Sequence, residues 1–368
     1  MINFNNLVPK YEDVLLFEKE ISEVILSGQF LMSKKTEIFE RSFSNYLGGS
    51  YVVSCANGTD ALYLALASLD LDQGTEIVMT ANCGMYAASA AIRLGLVPLF
   101  VDINFETGQI DIDQLQACLT SQTKVVVITH LYGIANNMTV IKKICSDKNV
   151  YLIEDVAQAT GGEFESQKLG TFGDVSTFSF YPTKNLGSLG DAGAVVTNHS
   201  ELNKKLEKLK QYGWGVRYNS ELSGGINSRM DEIQAAIITK KLEFLDRLNA
   251  ERYSILSRYI NSITTKSINF MGTGMKPREN VAHLAVLVSE KRDVLQNYLN
   301  SSGIQTLIHY PIPDHMQQSL IGKFRIFDTL RQTEKFSNQV LSIPCNPSLT
   351  EKEIVHVCTV LGKITDDI

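Results

Sequence analysis

From residue 51 onward, short apolar runs alternate with stretches whose apolar residues recur at helical spacing. The runs predict strands at 51–54, 76–79, 97–102, 124–129, 150–154, 175–180 and 194–197. Helices are expected between them, around 60–69, 85–94, 112–119 and 139–147. Strand, helix, strand at this spacing implies crossover connections and a mostly parallel sheet. VVVITH and VYLIED are nearly uninterrupted apolar runs, as expected of strands covered on both faces.

Residues 200–260 read as helices rich in Lys, Glu and Leu, with a Gly-rich break at 212–225. Beyond residue 262 the pattern changes. A strand at 283–289, a helix at 291–301, a second strand near 304–308 and a closing helix at 350–362 predict a small α/β domain. The expected division is a large domain over 1–250, with a mostly parallel seven-stranded sheet flanked by helices, and a small C-terminal domain over 251–368. The first forty residues read as helical and suit either domain.

Composition adds limits. The chain has 368 residues, 44% apolar and 20% charged, which is ordinary for a globular protein and long enough for two domains. Its formal charge is −6, with 34 basic residues against 40 acidic, and no basic stripe stands out. Nucleic acid is therefore not an expected partner. Six cysteines form no CxxC pair and several sit in apolar runs, so they read as reduced core thiols of a cytoplasmic protein. The N-terminus lacks a secretory pattern, and no apolar run approaches the ~18 residues of a membrane span. No HExxH or Cys/His cluster suggests a metal, and no GxGxxG follows the first strand.

Ligands of open α/β sheets bind beyond the carboxyl ends of the strands. Asp155 ends VYLIED and Gln158 follows it. Ser179 ends VSTFS, and Lys184 lies just beyond, in SFYPTKNLG. Gly58 and Thr59 follow the strand YVVSC and open a helix. Alone, Asp155 reads as a helix N-cap, Lys184 as a solvated lysine and Gly58-Thr59 as a packing turn. Together they suit one cofactor. An aldehyde cofactor needs an amine, and Lys forms a Schiff base. Pyridoxal 5'-phosphate needs a carboxylate beside its ring nitrogen, a role for Asp155. Its phosphate needs donors, which the helix start at Thr59 and the Ser179 hydroxyl offer.

On these stretches the chain resembles the DegT/DnrJ/EryC1/StrS sugar aminotransferases, within the fold type I pyridoxal-phosphate enzymes. ANGTDALYLAL (56–66), VPLFVDI (97–103), HLYG (130–133), IEDVAQATGG (153–162), LGTFGDVSTFSFYPTKNLGSLGDAGAVVT (169–197) and GINSRMDEIQAAI (225–237) carry the likeness, in order, with HYPIPDHMQ (309–317) further on. The resemblance implies Lys184 as the Schiff-base lysine and proton shuttle, Asp155 at the pyridine nitrogen and Gln158 at the phenolic oxygen. It implies Gly58, Thr59 and Ser179 on the phosphate. It also implies a homodimer with the active site at its interface, where Asn227 reaches the neighbouring subunit's phosphate. Arg229 reads as a substrate or interface residue, or equally as an ordinary helix-start arginine. A related class of sugar dehydratases has histidine in place of the lysine, and Lys184 argues against it; the other alternative, a non-catalytic regulator that keeps the fold, predicts damage to the cofactor constellation, of which Gly84 is the one instance.

One stretch departs from the family pattern. In TANCGMYAASAA, Gly84 stands where an aromatic residue stacking on the cofactor ring is expected. Tyr86 is the nearest aromatic; it suits stacking and core packing equally. The resemblance implies a nucleotide-linked sugar, with dTDP the expected nucleotide, and L-glutamate as substrates, in deoxyamino-sugar synthesis for O-antigen or another glycan. Tyr212-Gly213-Trp214 and His309-Tyr310-Pro311-Ile312-Pro313 are similar to the subgroup acting on 3-keto-6-deoxyhexoses, and a 4-keto sugar is the alternative. His309 and Tyr310 are candidates for contacting the sugar or pyrophosphate, or else form a structural Pro-rich turn. Tyr181 reads as either substrate-facing or core.

Overall fold

The computed structural model describes residues 1–9 and 11–366. Two helices, α1 (Tyr11–Ser27) and α2 (Lys34–Tyr46), precede an alternating stretch: β1 (Tyr51–Cys55), α3 (Gly58–Ala67), β2 (Glu76–Thr80), α4 (Tyr86–Arg93), β3 (Val97–Val101), α5 (Ile112–Cys118), β4 (Thr123–Thr129), α6 (Met138–Lys148) and β5 (Tyr151–Asp155). A small hairpin, β6 (Glu163–Phe164) and β7 (Gln167–Lys168), leads to β8 (Val175–Ser179), β9 (Gly193–Thr197) and α7 (Ser200–Leu209). The Gly-rich break holds a second hairpin, β10 (Trp214–Val216) and β11 (Asn219–Ser220), before α8 (Glu232–Leu242) and α9 (Leu245–Ser262). The rest comprises β12 (Ile268–Phe270), β13 (Ala285–Ser289), α10 (Arg292–Ser301), β14 (Arg325–Ile326), α11 (Arg331–Gln339), β15 (Val340–Ile343) and α12 (Glu351–Leu361).

The main sheet has the order β1-β9-β8-β5-β4-β2-β3-β14. Only β9 runs against its neighbours. The seven expected strands are present, and β14 adds an eighth, pairing parallel with β3. Alternation explains the continuous apolar runs: Val125 and Val127 enter the core on one face, Val126 and Ile128 the core on the other. A separate antiparallel sheet, β12-β13-β15, has its own core with Tyr259, Leu295 and Leu361.

The strand expected near 304–308 is not there. Ile304 bridges Ile2, and Leu307 bridges Ser342, as isolated pairs. The apolar spacing was real, since Ile304 is fully buried, but it marks an edge segment tied to the N-terminus. The partner strand β15 lies instead in VLSI, next to β13. The N-terminal residues therefore meet the C-terminal sheet, while α1 and α2 pack on α8.

A buried carboxylate makes the α2–α8 packing specific. Glu232 Oε1 accepts from the amides of Ser33 (2.8 Å) and Thr36 (3.1 Å), and Oε2 accepts from Lys35 N (2.7 Å). It satisfies the orphan amides of the α2 start, where Ser33 makes no side-chain cap of its own. Glu232→Ala leaves these donors, buried at Thr36 and half-buried at Ser33 and Lys35, without their carboxylate partner. It should destabilise the protein by about 3 kcal/mol, read as a lower denaturation midpoint. An unchanged midpoint would show that water replaces the carboxylate at no cost.

Candidate active site

Because all main-sheet strands but β9 share one direction, their carboxyl ends meet along one edge. Asp155 ends β5 and Ser179 ends the adjacent β8. The turn after β1 opens α3 at Gly58, and Asp191 lies just before β9. A cavity of about 710 Å³ opens there. It is lined by Gly58, Thr59, Tyr86, Asp155, Gln158, Ser179, Tyr181, Lys184, His309 and Tyr310, all expected from the sequence. Asn227 and Arg229 do not line it. Asn227 is exposed, and Arg229 borders a separate cleft with Tyr212, Trp214 and Arg217.

Lys184 sits in the loop joining β8 to β9. Its amide donates to the Tyr181 carbonyl (2.8 Å), and Ser188 ties the loop back to the Phe180 carbonyl through N and Oγ (both 2.7 Å). Asn185, the next residue, donates to Asn249 Oδ1 (2.7 Å) and the Val281 carbonyl (3.0 Å). Burial pushes the Lys184 amine down to about 8, with Asp155 pulling the other way. A lysine so shifted holds far more neutral amine near neutral pH than an exposed one.

Asp155 is buried, and its Oδ1 accepts from Ala157 N (3.0 Å). Burial raises its pKa, against the Ala157 amide and the Lys184 charge, which lower it. A cationic ring nitrogen suits such a carboxylate because it supplies the counter-charge that burial withholds. Next to it, Glu154 is structural. Burial pushes its carboxyl up, but His130 (3.3 Å) and the Gly170 (2.8 Å) and Gly173 (2.7 Å) amides hold it net below the usual range. His130, with Nδ1 accepting from Asn136 N (3.2 Å), is likewise committed to the fold.

The start of α3 fits a phosphate. Asn57 caps it by accepting from Asp60 N (2.8 Å), which leaves the Gly58 and Thr59 amides at the cavity wall without an intrahelical acceptor. Gly58 is required by closeness: a Cβ there would lie 2.6 Å from Ser179 Cβ. The same contact brings the Ser179 hydroxyl beside the helix start. Ser228 Oγ braces the turn, accepting from Ala56 N (3.0 Å) and donating to Asp60 Oδ2 (2.7 Å). The amine, carboxylate and amide-lined pocket thus match the three ends of pyridoxal phosphate.

Gln158 spans the cavity's inner wall. Its Oε1 accepts from Tyr132 N (2.7 Å), and its Nε2 donates to the Tyr310 hydroxyl (3.1 Å). His309 is half-buried, its Nδ1 is 2.9 Å from Ser342 Oγ, and its carbonyl accepts from the Tyr132 hydroxyl. Burial, then the Lys184 charge, lower its pKa to about 4, so it is neutral. Tyr181 and Tyr86 are about half exposed at the cavity mouth, so neither is a core residue. His315 pairs with Glu334 (3.1 Å) and does not line the cavity.

Several lining residues escaped the sequence reading, among them Asn57, Asp191, His283, Phe4 and Asn5. His283 is buried, and burial and the Lys184 charge push its pKa far down. A neutral ring facing Asn185 Oδ1 (2.9 Å) donates from Nδ1, because Asn185 already spends its amide hydrogens on Asn249 and Val281. No local pattern around VAHLAVLV marks this role. Asn57 and Asp191 had a signal, since both flank strand ends inside the quoted motifs.

The DegT/DnrJ/EryC1/StrS aminotransferase family model matches residues 15–362. The chain is 36% identical to dTDP-3-amino-3,6-dideoxy-alpha-D-galactopyranose transaminase of Aneurinibacillus thermoaerophilus, over 94% of this chain and 96% of that one. It is 32% identical to dTDP-3-amino-3,4,6-trideoxy-alpha-D-glucose transaminase of Streptomyces venezuelae, over 97% and 94%. The crystal structure of S. venezuelae DesV with a ketimine intermediate superposes with a TM-score of 0.94, at 32% identity and 99% coverage of both chains. With cofactor pocket and likeness running together over nearly its whole length, the chain belongs to the DegT/DnrJ/EryC1/StrS aminotransferase family and is a pyridoxal-phosphate-dependent sugar aminotransferase.

Proposed function

We propose that this enzyme transaminates a nucleotide-linked 3-keto-6-deoxyhexose, dTDP-linked, with L-glutamate as the amino donor, giving a 3-amino-3,6-dideoxyhexose. The observation that carries the amine-transfer chemistry is the meeting of Lys184, Asp155, Gln158 and the start of α3 in one cavity. The choice of C3 is supported by the two curated relatives, both named for dTDP-linked 3-amino sugars.

When bound, pyridoxal phosphate supplies an aldehyde for amine exchange and an electron sink for the carbon that loses its proton. The Lys184 amine anchors the cofactor and afterwards carries the proton between donor and acceptor carbons. Its lowered pKa suits both tasks near neutral pH. Asp155 holds a negative charge at the ring nitrogen, and Gln158 Nε2 is positioned for the phenolic oxygen. Gly58, Thr59 and Ser179 bind the phosphate. His309 stays neutral, offering Nε2 to the sugar or pyrophosphate, and Tyr181 borders the same mouth.

The working form in this reading is a cytoplasmic homodimer. Asn227 is exposed and outside its own chain's cavity, which supports a reach into the neighbouring site. Arg229, beside Trp214 and Arg217, serves the same interface. Among the described residues no helix is long and apolar enough to cross a membrane.

Incubation with glutamate and, separately, 3-keto and 4-keto dTDP-6-deoxyhexoses tests the regiochemistry. The 3-keto sugar should be converted at least about tenfold faster by kcat/KM, because misplacing the carbonyl by one carbon spoils the alignment with Lys184. Faster turnover of the 4-keto sugar would move the assignment to C4.

A further inference from the structure

Gly84 stands where the family resemblance implies an aromatic over the cofactor ring, yet the space beside it is not empty. Its backbone φ is +80°, and a Cβ built there would lie 3.0 Å from Tyr310 Cζ and 3.0 Å from Tyr86 Cε2. A side chain at 84 and the Tyr310 ring therefore compete for one volume. The two tyrosines differ in character. Tyr86 is 48% exposed and meets Tyr310 edge-on, with centroids 6.5 Å apart and planes at 74°. The Tyr310 ring lies deeper, its hydroxyl receiving Gln158 Nε2 at 3.1 Å.

Tyr310 is also held in register with Gly84. Asp314 N donates to the Ala81 carbonyl (2.7 Å), and Asp314 Oδ1 accepts from Met85 N (2.8 Å). The segment carrying Tyr310 is thus stitched to the turn carrying Gly84 on both sides of the missing side chain. Burial raises the Tyr310 phenol well above its ordinary pKa, so it remains a neutral hydroxyl.

We propose that Tyr310 covers the cofactor ring in the volume Gly84 leaves free, with Tyr86 as an edge-on brace. This inference rests on the cavity holding pyridoxal phosphate as assigned above. Tyr310 then links two tasks. Its face lies against the ring, while its hydroxyl fixes Gln158, the residue assigned to the ring's phenolic oxygen. The C-terminal segment thereby closes the site that the main sheet begins.

The test is the dissociation constant of pyridoxal phosphate, titrated by absorbance onto apo protein, with borohydride trapping as a control. Tyr310→Ala should loosen the cofactor about tenfold or more, since an aromatic face contributes both burial and stacking. Tyr310→Phe keeps the face and gives up only the hydroxyl's contact with Gln158, so it should loosen the cofactor clearly less than Tyr310→Ala, and Tyr86→Ala, which removes only the brace, should do likewise. Should Tyr310→Ala not fold, Tyr310→Leu keeps most of the volume, removes the aromatic face and decides the same comparison. A loss on Tyr86→Ala equal to or larger than that on removing the Tyr310 ring overturns the proposal, as does a Tyr310 variant without the ring that binds like the parent. If the parent protein itself neither binds nor traps the cofactor, the cofactor reading fails instead.

Discussion

Lys184→Ala should abolish transamination, lowering turnover by about 10⁴-fold or more while the protein stays folded. Two losses combine. The substitution removes the anchoring amine and also the group that carries the proton between the two substrates. The fold should tolerate it, because the loop is held by Ser188, Asn185 and the Tyr181 carbonyl and not by the Lys184 side chain. The variant should keep the parent's denaturation midpoint, and borohydride should no longer fix pyridoxal phosphate to the chain. Turnover within tenfold of the parent would rule the role out. The same lysine predicts a pH dependence. Only its neutral form attacks an aldehyde, so cofactor uptake by apo protein should rise with pH and level off above about 8. A rise that comes only near the ordinary lysine value of 10.5 would show that burial does not act on this amine as described.

Asp155→Asn should lower turnover by about 10²–10³-fold, the usual scale for removing one well-placed electrostatic partner from an enclosed site. The amide can still accept from Ala157 N, so the end of β5 should keep its geometry. What disappears is the negative charge at the ring nitrogen. The pH profile gives a second readout. Burial raises the Asp155 pKa above that of an ordinary aspartate while no ring nitrogen faces it, so cofactor binding by the apo parent should weaken on acidification at a higher pH than an exposed carboxylate would dictate. That acid limb should be absent in Asp155→Asn. If the limb persists unchanged in the variant, it belongs to another group, and Asp155 has lost this role.

The strand and helix order of the main sheet was legible because continuous apolar runs of strand length, such as VVVITH, alternate along the chain with helically spaced stretches. Sequence patterning did less well after residue 262. There Ile304 has a strand-like pattern but finds only an isolated bridge to Ile2, while the three residues of β12 are too few to show a period. The two-residue β14 was also invisible, since its pairing with β3 depends on a return of the chain from far away.

By itself, the sequence determined where the candidate groups of the site fall along the chain. Lys184, Asp155, Gln158, Ser179 and the Gly58-Thr59 turn all follow strand ends, and strands running one way bring their ends to one edge. That outcome needs only local periodicity and the handedness of crossovers. Tertiary structure alone decided what surrounds those groups. His283 and Phe4 reach the cavity from segments whose local patterns carry no chemical signal. The buried Glu232 caps a helix nearly two hundred residues before it. Gly84 reads along the chain as a missing side chain, but in space Tyr310 packs against it from 226 residues further on. Such matches depend on the exclusion of one side chain by another across the fold, which no local pattern records.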